Sequence, residues 1–299
     1  MTIPPGTQAR TTGEFFIFTL SKRPVGHCIV LLCFWSSPLA VAGNTPSIEV
    51  GFDLMYFDYS EFDQNGTLLD QETAWLPGLT ASWRYQWPKW YVAADIDYHG
   101  GNVTYEGKTQ PAGVPLTTTT ETHISTVRIR GGYSFHVLEG VLSSLYGGLG
   151  YHYWYRNILP ATDSNGNPVS GLLENYHWTF VFLGMELGIY ESRTTRLALD
   201  LRAKHLLQGT MDIDFQGFGG FDNTTVQLGL GGSVRLGIPL SFVVADNSRL
   251  VIEPYFDNWN IPQGPASPVT VNAVPVAFVY EPRSETRNFG FSLRYQARF

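Results

Sequence analysis

Asp95, Asp97 and His99 are spaced two residues apart within Trp90–His99, where apolar and polar residues alternate. Side chains two apart on a strand share a face. Two carboxylates and an imidazole arranged in this way can share a proton or activate a water, which makes these three the candidate catalytic residues. His152, followed by Trp154 and Arg156, is a candidate ligand site, with a hydrogen-bonded interior histidine as the plainer reading. Other chemistries lack their motifs: there is no nucleophile elbow, His-x-x-x-His pair or Gly-rich phosphate loop. Both cysteines, Cys28 and Cys33, lie near the start, so the rest of the chain offers no thiolate nucleophile or ligand. No cofactor and no metal is expected.

The elements that must position these residues are strands. Ten segments alternate with period two, over 48–56, 79–87, 90–98, 127–135, 145–156, 181–189, 197–204, 226–236, 250–257 and 289–299. One face of each is almost unbroken apolar, while the other carries charges at mid-strand, often Arg. Links near 88–89, 138–141, 192–195 and 243–248 are short. Those at 60–76, 100–121, 157–175, 209–223 and 259–285 are long and polar. Charged residues make up 15% of the chain and aromatics 14%, against about 25% charged in soluble domains. This pattern predicts an all-β fold: a closed antiparallel transmembrane β-barrel, ten strands preferred and eight or twelve possible, with short periplasmic turns and long extracellular loops. Tyr85, Trp87, Trp90, Tyr133, Phe135 and Phe299 fall at the inner rim of the apolar face, and Tyr56, Tyr98, Tyr153 and Tyr155 at the outer rim, as aromatic girdles require. Pro254 lacks an N–H for the ladder, and a bulge is expected there. The apolar stretch Pro265–Pro282 is expected either to extend a hairpin above the membrane or to fold inward as a plug.

Residues 1–42 read as a secretory signal: Lys22 and Arg23, the apolar run Cys28–Trp35, then Ala40-Val41-Ala42, with cleavage before Gly43. The barrel is then 43–299. Three of the 19 basic residues and one of the 26 acidic residues precede Gly43, leaving 16 against 25, a net −9. That balance excludes nucleic acid as an expected partner.

The last strand, Asn288–Phe299, resembles the C-terminal assembly signal of Gram-negative outer-membrane proteins, in which a terminal Phe follows alternating apolar residues. Phe291, Leu293, Tyr295 and Phe299 occupy the matching positions, with Ala297 between them. The resemblance implies the cell outer membrane as location. It also implies the barrel assembly machinery, lipid and lipopolysaccharide as partners, and a small solute or surface ligand as a further one. Size and layout are similar to the ten-stranded omptin surface proteases, which use an Asp pair facing an Asp–His pair. Asp95, Asp97 and His99 share one face, and His205, Asp212 and Asp214 follow the seventh strand, but no motif matches the family's second pair.

If the apolar face meets lipid, the other face lines a lumen. Asp53, Arg84, Asp95, Asp97, Arg128, Arg130, Glu186, Asp200, Arg202, Lys204, Arg235, Glu253 and Arg294 would interleave there as a charge network. Eight strands leave room only for side chains and 16–18 leave a channel, so ten favour a structural ion-pair network over a designed pore. The expected function is a non-enzymatic outer-membrane barrel, either a narrow channel or a surface-binding or structural protein, with an omptin-like protease as the alternative.

Overall fold

The computed structural model describes residues 45–109, 113–138 and 141–299. The expected signal over 1–42 lies outside them. The described chain is all-β and closes into a barrel of ten antiparallel strands. These are β1 (Thr45–Phe62), β2 (Leu68–Gln86), β3 (Trp90–Lys108), β4 (Pro115–Leu138), β5 (Val141–Ile158), β6 (Leu172–Glu191) and β7 (Thr195–Asp214). β8 runs in three pieces (Thr224–Gln227, Gly232–Gly237 and Leu240–Ala245) and is followed by β9 (Ser248–Ile261) and β10 (Arg283–Arg298). Each strand pairs with the next, and β1 closes the ring on β10, from Ser47 opposite Arg298 to Phe62 opposite Arg283. Closure pairs the described wall strands on both sides, while the first piece of β8, Thr224–Gln227, ladders with β7 alone. Both described ends of the chain lie at one rim, the near end, where the Phe299 N–H donates to the Pro46 carbonyl at 3.0 Å.

Pro254 produces no bulge. β8 keeps one offset against β9 on both sides of it, with Gly237 opposite Tyr255 and Leu240 opposite Ile252. The Pro254 carbonyl still accepts from the Ile238 N–H at 3.0 Å. The register shifts twice between β6 and β7, where Ile189 and Leu207 are left over in the pairing, and once near a strand end in each of the β1–β2, β4–β5 and β8–β9 pairs.

The segments expected as long loops are mostly strand. β1 and β2 continue to a five-residue tip, 63–67, while β3 runs on to Lys108 and β4 begins at Pro115. Alternation therefore carries on past the apolar belt, but the two faces exchange polarity. On β1 the outward residues run Ile48, Val50, Phe52, Leu54, Tyr56, then Asp58 and Ser60. The inward ones run Glu49, Asp53, then Met55, Phe57 and Tyr59. Phe52 is 71% exposed and Phe57 2%. In the near half large apolar side chains point out, including Leu79, Ile129, Leu149, Leu183 and Phe291. In the far half they point in: Phe57, Leu76, Trp154, Trp178, Phe180, Leu206, Met211, Ile213 and Trp259 form one packed core. The apolar-out, polar-in alternation expected of the ten segments describes the near half, and in the stretches expected as loops the two faces exchange. Beyond the belt the outer surface meets water, so the apolar side of each strand turns to the interior.

Of the two expectations for Pro265–Pro282, a hairpin or a plug, the structure has a hairpin, in a sheet of its own and not in the barrel wall. Its strands are Ser267–Val271 and Val274–Val279. Its turn uses positive φ at Asn272 and Ala273, as a tight primed turn requires.

Candidate functional site

In the near half the thirteen residues of the expected charge network all line one cavity of about 540 Å³. Its wall runs from Thr45, Trp87 and Arg298 at the near end to Phe57, Trp154, Trp178 and Trp259. Strand register sets the pairing. Asp95 stands directly opposite Arg128 across β3 and β4. Arg130 reaches diagonally to Asp95 at 3.1 Å, and Ser82 donates to Asp95 at 2.7 Å. Arg128 holds Asp97, which also accepts from Thr80 at 2.9 Å. His99 meets Asp53 at 2.9 Å, and the Tyr255 hydroxyl donates to the same Asp53 oxygen at 2.7 Å. Around the ring, Arg196 pairs with Glu186 at 2.6 Å, Lys204 with Asp257 at 2.6 Å, and Arg235 with Glu253 at 2.7 Å. Arg294 bridges Glu49 and Glu253. Asp200 accepts from Tyr146 at 2.6 Å, with Arg202 3.6 Å away. Arg84 lies over the Tyr91 ring at 3.6 Å and donates to Gln86.

Above this cavity is an aromatic layer. His152 stacks on Trp178 at 4.0 Å between centroids and accepts from or donates to Thr126 at 2.8 Å. Trp178 meets Trp259 edge-on, Phe180 does the same, and Trp154 packs between Phe57, Tyr59 and Tyr176.

Beyond the aromatic layer, past the apolar belt, one arginine is enclosed by acids. Arg156 is 2% exposed. Its Nε donates to Glu72 at 2.9 Å, and Nη1 donates to Glu61 at 2.9 Å and to Glu174 at 2.7 Å. Its Nη2 lies 3.7 Å from Asp70. Glu72 also accepts from Thr120 at 2.8 Å, and Tyr105 donates to Asp70 at 3.3 Å. Glu281 completes the group, held by the Tyr59 and Tyr176 hydroxyls at 3.3 and 3.2 Å. Five buried carboxylates thus surround one guanidinium. Isolated charge is costly in such a medium, so burial raises Asp70, Glu72 and Glu281 above the ordinary carboxylate range despite Arg156. Burial likewise pushes Glu174 up to about 6. No three histidine or carboxylate groups among the described residues are arranged to hold a metal ion.

No protein-family model matches this chain, and no curated protein matches it in sequence. Solved structures do. The outer membrane protease OmpT from Escherichia coli superposes with a TM-score of 0.60 at 10% identity, over 86% of this chain and 97% of that one. The chain has the fold of an outer-membrane β-barrel. The translocator domain of the autotransporter NalP from Neisseria meningitidis (13% identity, 85% of this chain, 88% of that one) and Neisserial surface protein A (11%, 84% and 97%) reach only 0.41 and 0.34. At these identities the likeness is one of fold, and no residue role passes across it.

In this barrel, Asp95, Asp97 and His99 face the lumen within the apolar belt, and each is engaged by the partners named above. His205 and Asp212 are exposed on the outer wall, where Asp212 lies 3.3 Å from His177. Asp214 accepts from the Gln216 N–H at 2.8 Å. The barrel does not bring these three to the Asp95 group. Phe291, Leu293, Tyr295 and Phe299 project outward on β10 or just after it. The residues that sequence reasoning missed are Glu61, Asp70, Glu72, Glu174 and Glu281, all inside segments read as loops. The available signal was the continued alternation, Phe57-x-Tyr59-x-Glu61 and Asp70-x-Glu72-x-Ala74-x-Leu76, with acids on the apolar face.

Proposed function

We propose that this barrel sits in the outer membrane of a Gram-negative cell, termini inward, as a closed, non-enzymatic protein whose far half is a platform for surface binding or structure. The observation that carries this reading is the filled far half: an aromatic layer and the Arg156 cluster occupy the interior where a channel would need water. The far end also bears an exposed apolar hairpin, with Val274, Val276 and Phe278 uncovered. Exposed apolar patches at a tip suit a surface ligand or lipopolysaccharide. The outward residues of β10 suit recognition by the barrel assembly machinery, and the belt suits lipid contact. Planar-bilayer recordings test the closed reading. A tight seal at all voltages is expected, and sustained unitary currents would overturn it in favour of a narrow channel.

Likeness of fold to OmpT raises a second reading, a surface protease. Fold alone does not carry activity, and the groups that would act are already engaged: Asp95 by Arg130, Asp97 by Arg128 and His99 by Asp53. No cleavage of a broad peptide panel is expected. Cleavage that disappears in Asp97→Ala would establish the protease instead.

A further inference from the structure

Two tyrosine hydroxyls in the Arg156 cluster each face two carboxylates. Tyr59 lies 2.8 Å from Glu61 and 3.3 Å from Glu281, and Tyr176 lies 3.3 Å from Glu174 and 3.2 Å from Glu281. Each hydroxyl has one proton to donate. Two protons cannot serve four acceptors, but a proton on Glu281 changes the count. Glu281 then donates to one tyrosine oxygen, which passes its own proton to the next carboxylate. Glu281 is also the acid that forms no ion pair among the described residues of the cluster, since Arg156 is spent on Glu61, Glu72 and Glu174. Five carboxylates stand against one guanidinium, and protons on the carboxylates reduce that imbalance.

Glu281 also has a mechanical position. It ends the segment that connects β9 to β10 and carries the apolar hairpin. The Gly264 N–H donates to its carbonyl at 3.0 Å, closing the base of that segment. Val279, two residues earlier, packs on the far-half core. The hairpin is also tied to the β7–β8 connection: the Asp222 N–H donates to the Thr270 carbonyl at 2.8 Å, the Asp222 carboxylate accepts from the Thr270 hydroxyl and the Ala273 N–H, and Thr224 donates to the Pro268 carbonyl, with Val269 buried beside them.

We propose that Glu281 carries a proton whenever the 262–282 segment is seated, and that losing this proton releases the segment, making it a pH-operated latch. The groups facing Glu281 decide the direction. β1 presents Tyr59 and Glu61, β6 presents Glu174 and Tyr176, and β5 presents Arg156. Asp70 and Glu72 of β2 and Tyr105 of β3 complete the cluster, while β4 offers the uncharged Thr120. β7 and β9 face the interior here with Met211, Ile213, Trp259 and Ile261. Arg283 turns away to Glu285 and lies over the Phe62 ring. An ionised Glu281 would therefore meet more negative than positive charge. The latch holds at low pH and opens as pH rises. Between the released and closed values of the carboxyl, the opening constant grows about tenfold per pH unit. This inference does not depend on whether the barrel conducts, cleaves or binds.

The test uses the full chain refolded in lipid. Hydrogen exchange of peptides spanning 262–282, corrected for the intrinsic pH dependence, is followed from about pH 5 to about pH 9. Wild type is expected to lose protection there by at least about tenfold, with β3–β5 unchanged, and Glu281→Gln is expected to stay protected throughout. Equal wild-type protection at both ends, or the same loss in Glu281→Gln, would overturn the latch. Infrared spectra of wild type guard against a variant that misfolds. The protonated-carboxyl band that wild type has and Glu281→Gln lacks should vanish in step with protection, and loss of protection with that band intact contradicts the proposal.

Discussion

The near and far halves of this barrel use the same alternation and solve opposite problems. In the near half the outside is apolar, so charge is confined to the lumen, where many acids meet many bases around a cavity of about 540 Å³. Glu253, for example, has both Arg235 and Arg294. In the far half the outside is polar, so the lumen becomes a conventional core, and its few charges are unbalanced around Arg156. The difference teaches that β-barrel patterning is set by what each height of the wall touches, not by the strand as a unit. A charge network beside a cavity tolerates substitution. A buried cluster with one cation does not.

The largest break in that comparison should come from Arg156→Ala. It leaves four partners and Glu281 without their cation, and removing one member of a buried ionic group costs about 3–5 kcal/mol. Equilibrium unfolding in lipid should show this loss. Trp154→Ala should cost a similar amount, roughly 3–5 kcal/mol, because Trp154 is packed among Phe57, Tyr59 and Tyr176. It should also thin the layer that closes the lumen, so bilayer recordings of this variant should show leak absent from wild type.

Smaller effects sharpen the contrast. Glu174, raised to about 6 by burial, binds its proton more tightly folded than unfolded. Its contribution is therefore present below the ordinary carboxylate value and lost as pH rises through about 6. The size is roughly 2 kcal/mol, read as a fall in unfolding free energy between about pH 4 and about pH 8 that Glu174→Gln removes. In the near half Asp97→Ala should cost only about 1–2 kcal/mol, since Arg128 retains Asp95 within 4.0 Å and borders the cavity. A cost equal to that of Arg156→Ala would erase the distinction between the halves.

The near half was legible in the sequence because its apolar stripe is long and its charges sit at fixed offsets. Ile48 to Tyr56 and Phe289 to Phe299 each give strand, face and register at once. The far half was not, for a physical reason. Asp58, Ser60, Gln71, Thr73, Asn102 and Thr104 are polar outward residues, and a strand whose polar side is wet reads as a loop when the apolar side is expected outside. The exchange of faces at Tyr56–Phe57 carries the information, but only a reader tracking parity across the belt would see it. Glu281 was further hidden, since its partners Tyr59 and Tyr176 are remote in sequence and nothing local marks it as buried. Pro254 misled in the other direction: its missing N–H suggested a bulge, whereas the ladder keeps its register and loses one donor.

The two halves of the wall meet different solvents, and spin labels placed one at a time on outward positions measure this directly. Labels at Phe52, Ile129 and Leu149 should be relaxed by oxygen and shielded from a water-soluble paramagnetic reagent, while labels at Ser60, Gln71 and Thr104 should show the reverse. Equal access of the water-soluble reagent to both sets would contradict it.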